Sequence, residues 1–170
     1  MIAFMILAAP RSGTTWAANW LTTDRTLCLH DPLFTHHYSE LDSIETTKTL
    51  GISCTGAAFF RGWVNRHPAR KVVLHRNRYE VNASLAAIGM PEVPQSYFDC
   101  LAKIEGRHTD WRDLFGKPRE IYEFLTGLPF DEERHALLRD IEMQPEFGRL
   151  KVGPEVTRKL VSEMRVAMEN

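Results

Sequence analysis

The chain has 170 residues, of which 44% are hydrophobic and 25% are charged. This is the composition of an ordinary globular protein with enough residues to bury a core. Its 21 basic and 22 acidic side chains give a formal net charge of −1, which argues against a broad nucleic-acid-binding surface. The three cysteines are widely spaced and form no C-x-x-C pair, so neither a zinc site nor a disulfide framework is indicated. We therefore expect one cytoplasmic domain over residues 1–170, with reduced thiols and no membrane or nucleic-acid partner.

The first fifty residues predict alternating strands and helices. Residues 2–8 are a continuous apolar run with no basic segment before it, which indicates a buried strand rather than a signal peptide. A helix is predicted over residues 14–21 and a second short strand over residues 26–32. A capping-box pattern predicts another helix over residues 39–50.

The same alternation continues along the chain. Strands are predicted over residues 51–56 and 71–75, with a candidate fifth strand near His108. Residues 90–96 contain two prolines, which indicates a loop or lid. Helices are predicted over residues 57–67, 79–88, 97–104, 118–127, 131–141 and 153–168. This order predicts an α/β fold: a single three-layer domain with a central parallel sheet flanked by helices. Ligands of such sheets bind beyond the carboxyl ends of the strands.

The segment "PRSGTT", residues 10–15, joins the first strand to its helix and has the character of an anion-binding loop. Backbone N–H groups of such a turn point at one place, and Gly13 allows close approach of the backbone. The hydroxyls of Thr14 and Thr15 can donate hydrogen bonds to an anion, and Arg11 adds a full positive charge. The alternative is a tight turn in which Ser12 and Thr14 only cap the helix.

This loop departs from the usual NTPase pattern G-x-x-x-x-G-K-[ST], because Ala8 replaces the first glycine and Thr14 replaces the lysine. The longer segment "PRSGTTW" instead resembles the 5′-phosphosulfate loop of sulfotransferases that use 3′-phosphoadenosine 5′-phosphosulfate. In that family a cation occupies the position of Arg11. The resemblance implies a P-loop fold and a nucleotide co-substrate held by Arg11, Ser12, Gly13, Thr14 and Thr15.

A second motif supports the same resemblance independently. The segment "RNRYEVNAS" is similar to the family's R-N-P-x-[DE]-x-x-x-S, in which the arginine and serine hold the 3′-phosphate. The resemblance assigns these roles to Arg76 and Ser84, while Arg78 replaces the usual proline. A guanidinium at a strand end and a hydroxyl on the next helix can converge on one phosphate. Taken singly, the two residues could be a solvated basic turn and a surface serine.

The end of the chain resembles the family less closely. Residues 110–128 are similar to a structural segment of the family, with Trp111 in place of the usual tyrosine. The family's C-terminal R-K-G-x-x-G segment is absent, and Lys151 or Arg158 could supply a cation near the nucleotide instead. We expect the residues from about 129 onward to form a cover or an acceptor region.

Sulfuryl transfer resembles phosphoryl transfer, so an enzyme mainly positions groups and stabilises charge on the departing phosphate, a role for Arg11. The acceptor must also lose a proton. In small bacterial and glycan-type relatives an acidic residue after the second strand removes it, and Asp31 followed by proline stands at that place. Asp31 is preferred over its neighbour His30, and the alternation of strand side chains predicts that only one of them reaches the pocket. Asp31 could also be an ordinary turn residue.

The sequence thus predicts a sulfotransferase that acts on a hydroxyl or amine of a small-molecule or glycan-like acceptor, with no metal ion. One alternative is a P-loop nucleotide or nucleoside kinase, against which Thr14 argues. Another is a nucleotide-binding relative that has lost turnover. Four aromatic residues at helical spacing are assigned to the core rather than to an adenine site: Trp16, Phe59, Phe60 and Trp63.

Overall fold

The computed structural model describes residues 1–141. Five parallel strands form one sheet in the order β2-β3-β1-β4-β5. The strands are β1 Phe4–Ala8, β2 Thr26–His30, β3 Thr49–Cys54, β4 Arg70–His75 and β5 Arg107–Asp110. Helices lie on both faces of the sheet, so the predicted three-layer α/β architecture is confirmed.

Seven α-helices lie within residues 1–141, and most of them connect one strand to the next. They are α1 Thr14–Trp20, α2 Arg61–Arg66, α3 Arg78–Ala86, α4 Gln95–Ala102, α5 Asp113–Gly116, α6 Pro118–Thr126 and α7 Glu132–Arg139. Short 3₁₀ helices occupy Pro32–Phe34, Tyr38–Ser43 and Gly56–Phe60. The helix predicted over residues 153–168 lies outside the described residues. Within residues 1–141, no helix has both the length and the apolar character needed to cross a bilayer.

The predicted helix over residues 39–50 is wrong. Only Tyr38–Ser43 is helical, as a 3₁₀ helix, and the capping box is formed by His37 and Glu40. The following residues cannot continue the helix because β3 begins at Thr49, where it pairs with Thr26 of β2. Strand pairing has therefore overridden the local helical pattern.

Both faces of the sheet are buried, which explains why β1 is apolar at every position. Met5 and Leu7 of β1 belong to the core on one face, and Phe4 and Ile6 to the core on the other. In the register of β1 and β3, Phe4 lies opposite Gly51. A Cβ atom on Gly51 would lie 2.0 Å from the Phe4 ring, so the ring occupies the space that a side chain would need.

Residues 129–141 pack back onto α1. The indole N–H of Trp16 donates to the carbonyl of Leu138 at 2.8 Å. The guanidinium of Arg134 donates to the carbonyl oxygens of Asn19 and Thr22 at the end of α1. Through these contacts the last described residues, including Ile141, line a cavity at the carboxyl edge of the sheet.

Candidate functional site

A cavity of about 680 Å³ opens at the carboxyl edge of the sheet. Residues that follow all five strands contribute to its wall, as does the segment between α3 and α4. All the predicted nucleotide-binding residues except Ser12 line this cavity. Ser12 is fully buried, and its hydroxyl faces the carbonyl of Pro10 at 3.5 Å.

The loop after β1 has two residues with left-handed backbone, Arg11 at φ 64° and Gly13 at φ 83°. Glycine adopts this conformation freely, whereas the left-handed conformation costs a residue with a side chain about 1–2 kcal/mol. Arg11 is held there by contacts at both ends. Its carbonyl accepts a hydrogen bond from the guanidinium of Arg76, and its own Nε donates to Ser84 Oγ at 3.0 Å.

Among the described residues, Arg76 is one of three arginines in the wall, with Arg11 and Arg139, and its side chain is 19% exposed. Its guanidinium carbon lies 4.5 Å from the centre of the Trp111 ring, and its Nε donates to Glu80 at 3.2 Å. Arg76 and Ser84 each hydrogen-bond Arg11, so the three residues form one connected group. Arg78 lies outside the cavity lining and donates to Gln95.

The hydroxyls of Thr14 and Thr15 face the imidazole ring of His30. They lie 3.4 and 3.2 Å from Nε2 of His30. The same nitrogen is 3.2 Å from Oδ2 of Asp31. The loop after β1 is thus within hydrogen-bonding distance of His30, and His30 is within that distance of Asp31.

The expectation that only one of His30 and Asp31 reaches the pocket is wrong, because both line the cavity. His30 is the last residue of β2, and Asp31 leaves the strand with a left-handed backbone, φ 42°. This turn ends the alternation of side chains that a regular strand would impose. Asp31 is buried, and its Oδ1 accepts from the backbone N–H and the hydroxyl of Thr55 at 2.6 and 3.0 Å.

Tyr97 is a cavity residue that the sequence did not single out. Its buried hydroxyl lies 2.9 Å from the carbonyl of Ala8 and 2.5 Å from that of Thr55, and so links the ends of β1 and β3. Burial raises the pKa of Tyr97 well above its usual value, with smaller contributions from Cys54 and Asp31. Tyr97 is therefore a neutral hydrogen-bond donor. Burial likewise raises the pKa of Cys54, which keeps its thiol protonated.

A histidine pair lies at the same edge of the sheet but outside the cavity lining. His75 Nε2 and His108 Nδ1 are 2.7 Å apart, and the two rings stack. Partial burial and the neighbouring His108 lower the pKa of His75, against the effect of Asp110. In residues 1–141 there is no group of three or more His, Cys, Asp or Glu side chains placed to hold a metal ion.

Lys151 and Arg158, the candidate cations near the nucleotide, lie outside the described residues.

Comparison of the chain with protein-family models, with curated proteins and with solved structures found no match.

Proposed function

We propose that this protein is a cytoplasmic sulfotransferase that moves a sulfuryl group from 3′-phosphoadenosine 5′-phosphosulfate to an acceptor hydroxyl or amine. The observation that carries the proposal is the contact between the guanidinium of Arg76 and the carbonyl of Arg11. These two residues are 65 positions apart in the chain, and both line one cavity. Ser84 completes this group through its contact with Arg11. Such a wall suits a ligand with two anionic groups.

The residues present fit this co-substrate in charge and in size. Arginine recognises phosphate and sulfate groups through several N–H donors at once. The cavity volume is within the range of pockets that hold cofactor-sized ligands. Because α1 has only seven residues, the proposed anion sites rest on the side chains of the arginines and hydroxyls rather than on a helix dipole.

The roles follow from where each group lies. Arg11, with the hydroxyls of Thr14 and Thr15, would hold the 5′-phosphosulfate, and Arg76 with Ser84 would hold the 3′-phosphate. Asp31, next to His30, is the proposed base. In the step we propose, a lone pair of the acceptor oxygen bonds to sulfur while the bond from sulfur to the bridging phosphate oxygen breaks. That electron pair stays on the phosphate, where Arg11 stabilises it, and the acceptor proton passes to Asp31.

Substitution of Arg76 tests the assignment of the 3′-phosphate site. We expect Arg76→Ala to weaken adenosine 3′,5′-bisphosphate by about a hundredfold, because a charge-assisted pair is lost. Adenosine 5′-monophosphate should weaken by less than about threefold, because it lacks the group that Arg76 would bind. Calorimetric titration of both nucleotides measures the difference.

Arg112→Ala is a matched control. Arg112 also contacts Glu80 and stacks on Trp111, at 5.4 Å, but it does not line the cavity. This variant should bind both nucleotides as the original chain does. Equal losses for both nucleotides in Arg76→Ala, or a selective loss in Arg112→Ala, would contradict the assignment.

A further inference from the structure

We propose that a second pocket, at the amino edge of the sheet, binds a free α-amino acid in its zwitterionic form. This pocket lies where α1 ends and β2 begins, and its volume is about 360 Å³. Residues of α6 and of the start of α7 complete its wall. Among residues 1–141, none of those that line it also lines the cavity at the carboxyl edge. Binding there would not depend on the proposed sulfotransferase activity.

The side chain of Tyr122 is the feature of this pocket that points to a ligand. Tyr122 is only 3% exposed, and its ring packs against Trp20 and Phe130, with centres 5.5 and 6.0 Å from its own. Its hydroxyl forms no hydrogen bond to any residue in the range 1–141. A buried polar group normally has a partner, either in the protein or in a bound molecule. Since Tyr122 lines the second pocket, a ligand in that pocket can supply the partner.

Four charged side chains line the same pocket, two of each sign: Asp24, Arg25, Asp131 and Arg134. Within the part of the chain that the structure describes, no ion pair joins any two of them, although Asp24 and Arg25 are neighbours in sequence. All four act on the tyrosine hydroxyl. Burial raises the pKa of Tyr122, Asp131 and Asp24 raise it further, and Arg134 and Arg25 oppose them. The hydroxyl therefore stays protonated at neutral pH, close to charges of both signs.

The charged groups differ in how many of their atoms are already hydrogen-bonded. Oδ1 of Asp131 accepts from the N–H of Arg134 at 2.9 Å, which leaves Oδ2. Nε and Nη2 of Arg134 donate to carbonyl oxygens at the end of α1, which leaves Nη1. The carboxylate of Asp24 and the guanidinium of Arg25 have no partner among the described residues. The pocket thus keeps both anionic and cationic groups for a ligand.

The turn that carries Asp24 and Arg25 is held by Thr23. The hydroxyl oxygen of Thr23 accepts from the N–H groups of Arg25 and Thr26, both at 3.1 Å. Its carbonyl accepts from Nζ of Lys48 at 2.7 Å. Lys48 does not line the pocket, but its ammonium adds positive charge beside the turn. Two side chains of opposite charge therefore leave the backbone at fixed positions.

These groups match a ligand with one positive and one negative charge. Its carboxylate would pair with the guanidinium of Arg25 and accept a hydrogen bond from Tyr122. Its ammonium would pair with the carboxylates of Asp24 and Asp131. A ligand with a single charge would be attracted by one of these pairs and repelled by the other. A neutral ligand would leave all the charged groups without a counter-ion.

The size and the apolar lining of the pocket suit an amino acid. Its volume lies at the lower end of the range for small-molecule pockets. Leu128 and Pro129 supply apolar surface, which an aliphatic side chain of the ligand would cover. Leucine is therefore a suitable probe.

Calorimetric titration of the full chain with three ligands of similar shape tests the proposed charge pattern. L-leucine carries both charges at about pH 6.5, where an α-amino group is protonated. N-acetyl-L-leucine keeps only the negative charge, and L-leucinamide keeps only the positive one. We expect L-leucine to bind at least about tenfold more tightly than either analogue. Binding of an analogue within about tenfold of L-leucine, or no binding of L-leucine, would overturn the proposal.

Two variants and a matched control test the location of the site. Tyr122→Phe should weaken L-leucine by about fivefold or more, and should leave the unfolding temperature unchanged because the hydroxyl has no protein partner to lose. Arg25→Gln, at an exposed position, should weaken it by about tenfold or more. Tyr79→Phe is the control, because Tyr79 is 82% exposed and lines neither the pocket nor the cavity. Equal effects of Tyr122→Phe and Tyr79→Phe, or unchanged binding in Arg25→Gln, would overturn the assigned site.

Discussion

Asp31 is the residue whose backbone decides the shape of the site. Its left-handed conformation turns its side chain into the cavity beside His30. There His30 contacts hydroxyls of α1, and Asp31 contacts Thr55. Aspartate tolerates this conformation better than most residues with a side chain. The sequence pattern gave the position of an acidic residue before proline, but not this backbone angle, and the expected alternation therefore failed.

Thr55 holds the buried carboxylate of Asp31 in place with two hydrogen bonds. Thr55→Val has nearly the same shape but keeps only the backbone donor, so we expect the free energy of unfolding to fall by about 1–2 kcal/mol. Thr55→Ser retains the hydroxyl and should lose less than about half as much. Urea unfolding followed by circular dichroism measures both changes. Unchanged stability in Thr55→Val would show that the hydroxyl does not support Asp31.

The elements of the fold differ in how well the sequence predicts them. The strands β1 and β4 are buried and nearly all apolar in their centres, so their composition predicts them directly. β5, Arg107–Asp110, is an edge strand of polar residues whose exposure alternates, and its pattern predicts little by itself. The helix expected over residues 39–50 failed because the pairing of β3 with β2 is a long-range effect that no local pattern contains.

The packing of β1 against β3 depends on Gly51. The alanine Cβ in Gly51→Ala would lie 2.0 Å from the Phe4 ring, which is in the core and cannot move outward. We expect this variant to lose about 3 kcal/mol or more, or to fail to fold. Thermal unfolding provides the measurement.

Gly62→Ala is the control for that prediction. Gly62 lies in α2, where the added methyl group would meet only the end of the flexible Arg66 side chain at 3.3 Å. Helix propensity should make this variant neutral or more stable by up to about 1 kcal/mol. A comparable loss of stability in the two variants would contradict the role given to the Phe4 ring.

At the scale of the whole molecule, the site consists of residues brought together by the sheet. The sequence motifs named Arg11, Asp31, Arg76 and Ser84, because each belongs to a short pattern that can be recognised locally. Thr55 and Tyr97 carry no such pattern. Their importance arises from hydrogen bonds to Asp31 and between the strand ends, which exist only after β1, β2 and β3 have paired.

The most direct test of the central claim is a calorimetric titration of the unmodified chain in the presence of EDTA. A cavity with two arginine-based anion sites should bind adenosine 3′,5′-bisphosphate without a metal ion, and about tenfold or more tightly than adenosine 5′-monophosphate. Magnesium should not strengthen this binding. Binding of ATP that requires magnesium and exceeds that of the bisphosphate would contradict the account and favour a kinase.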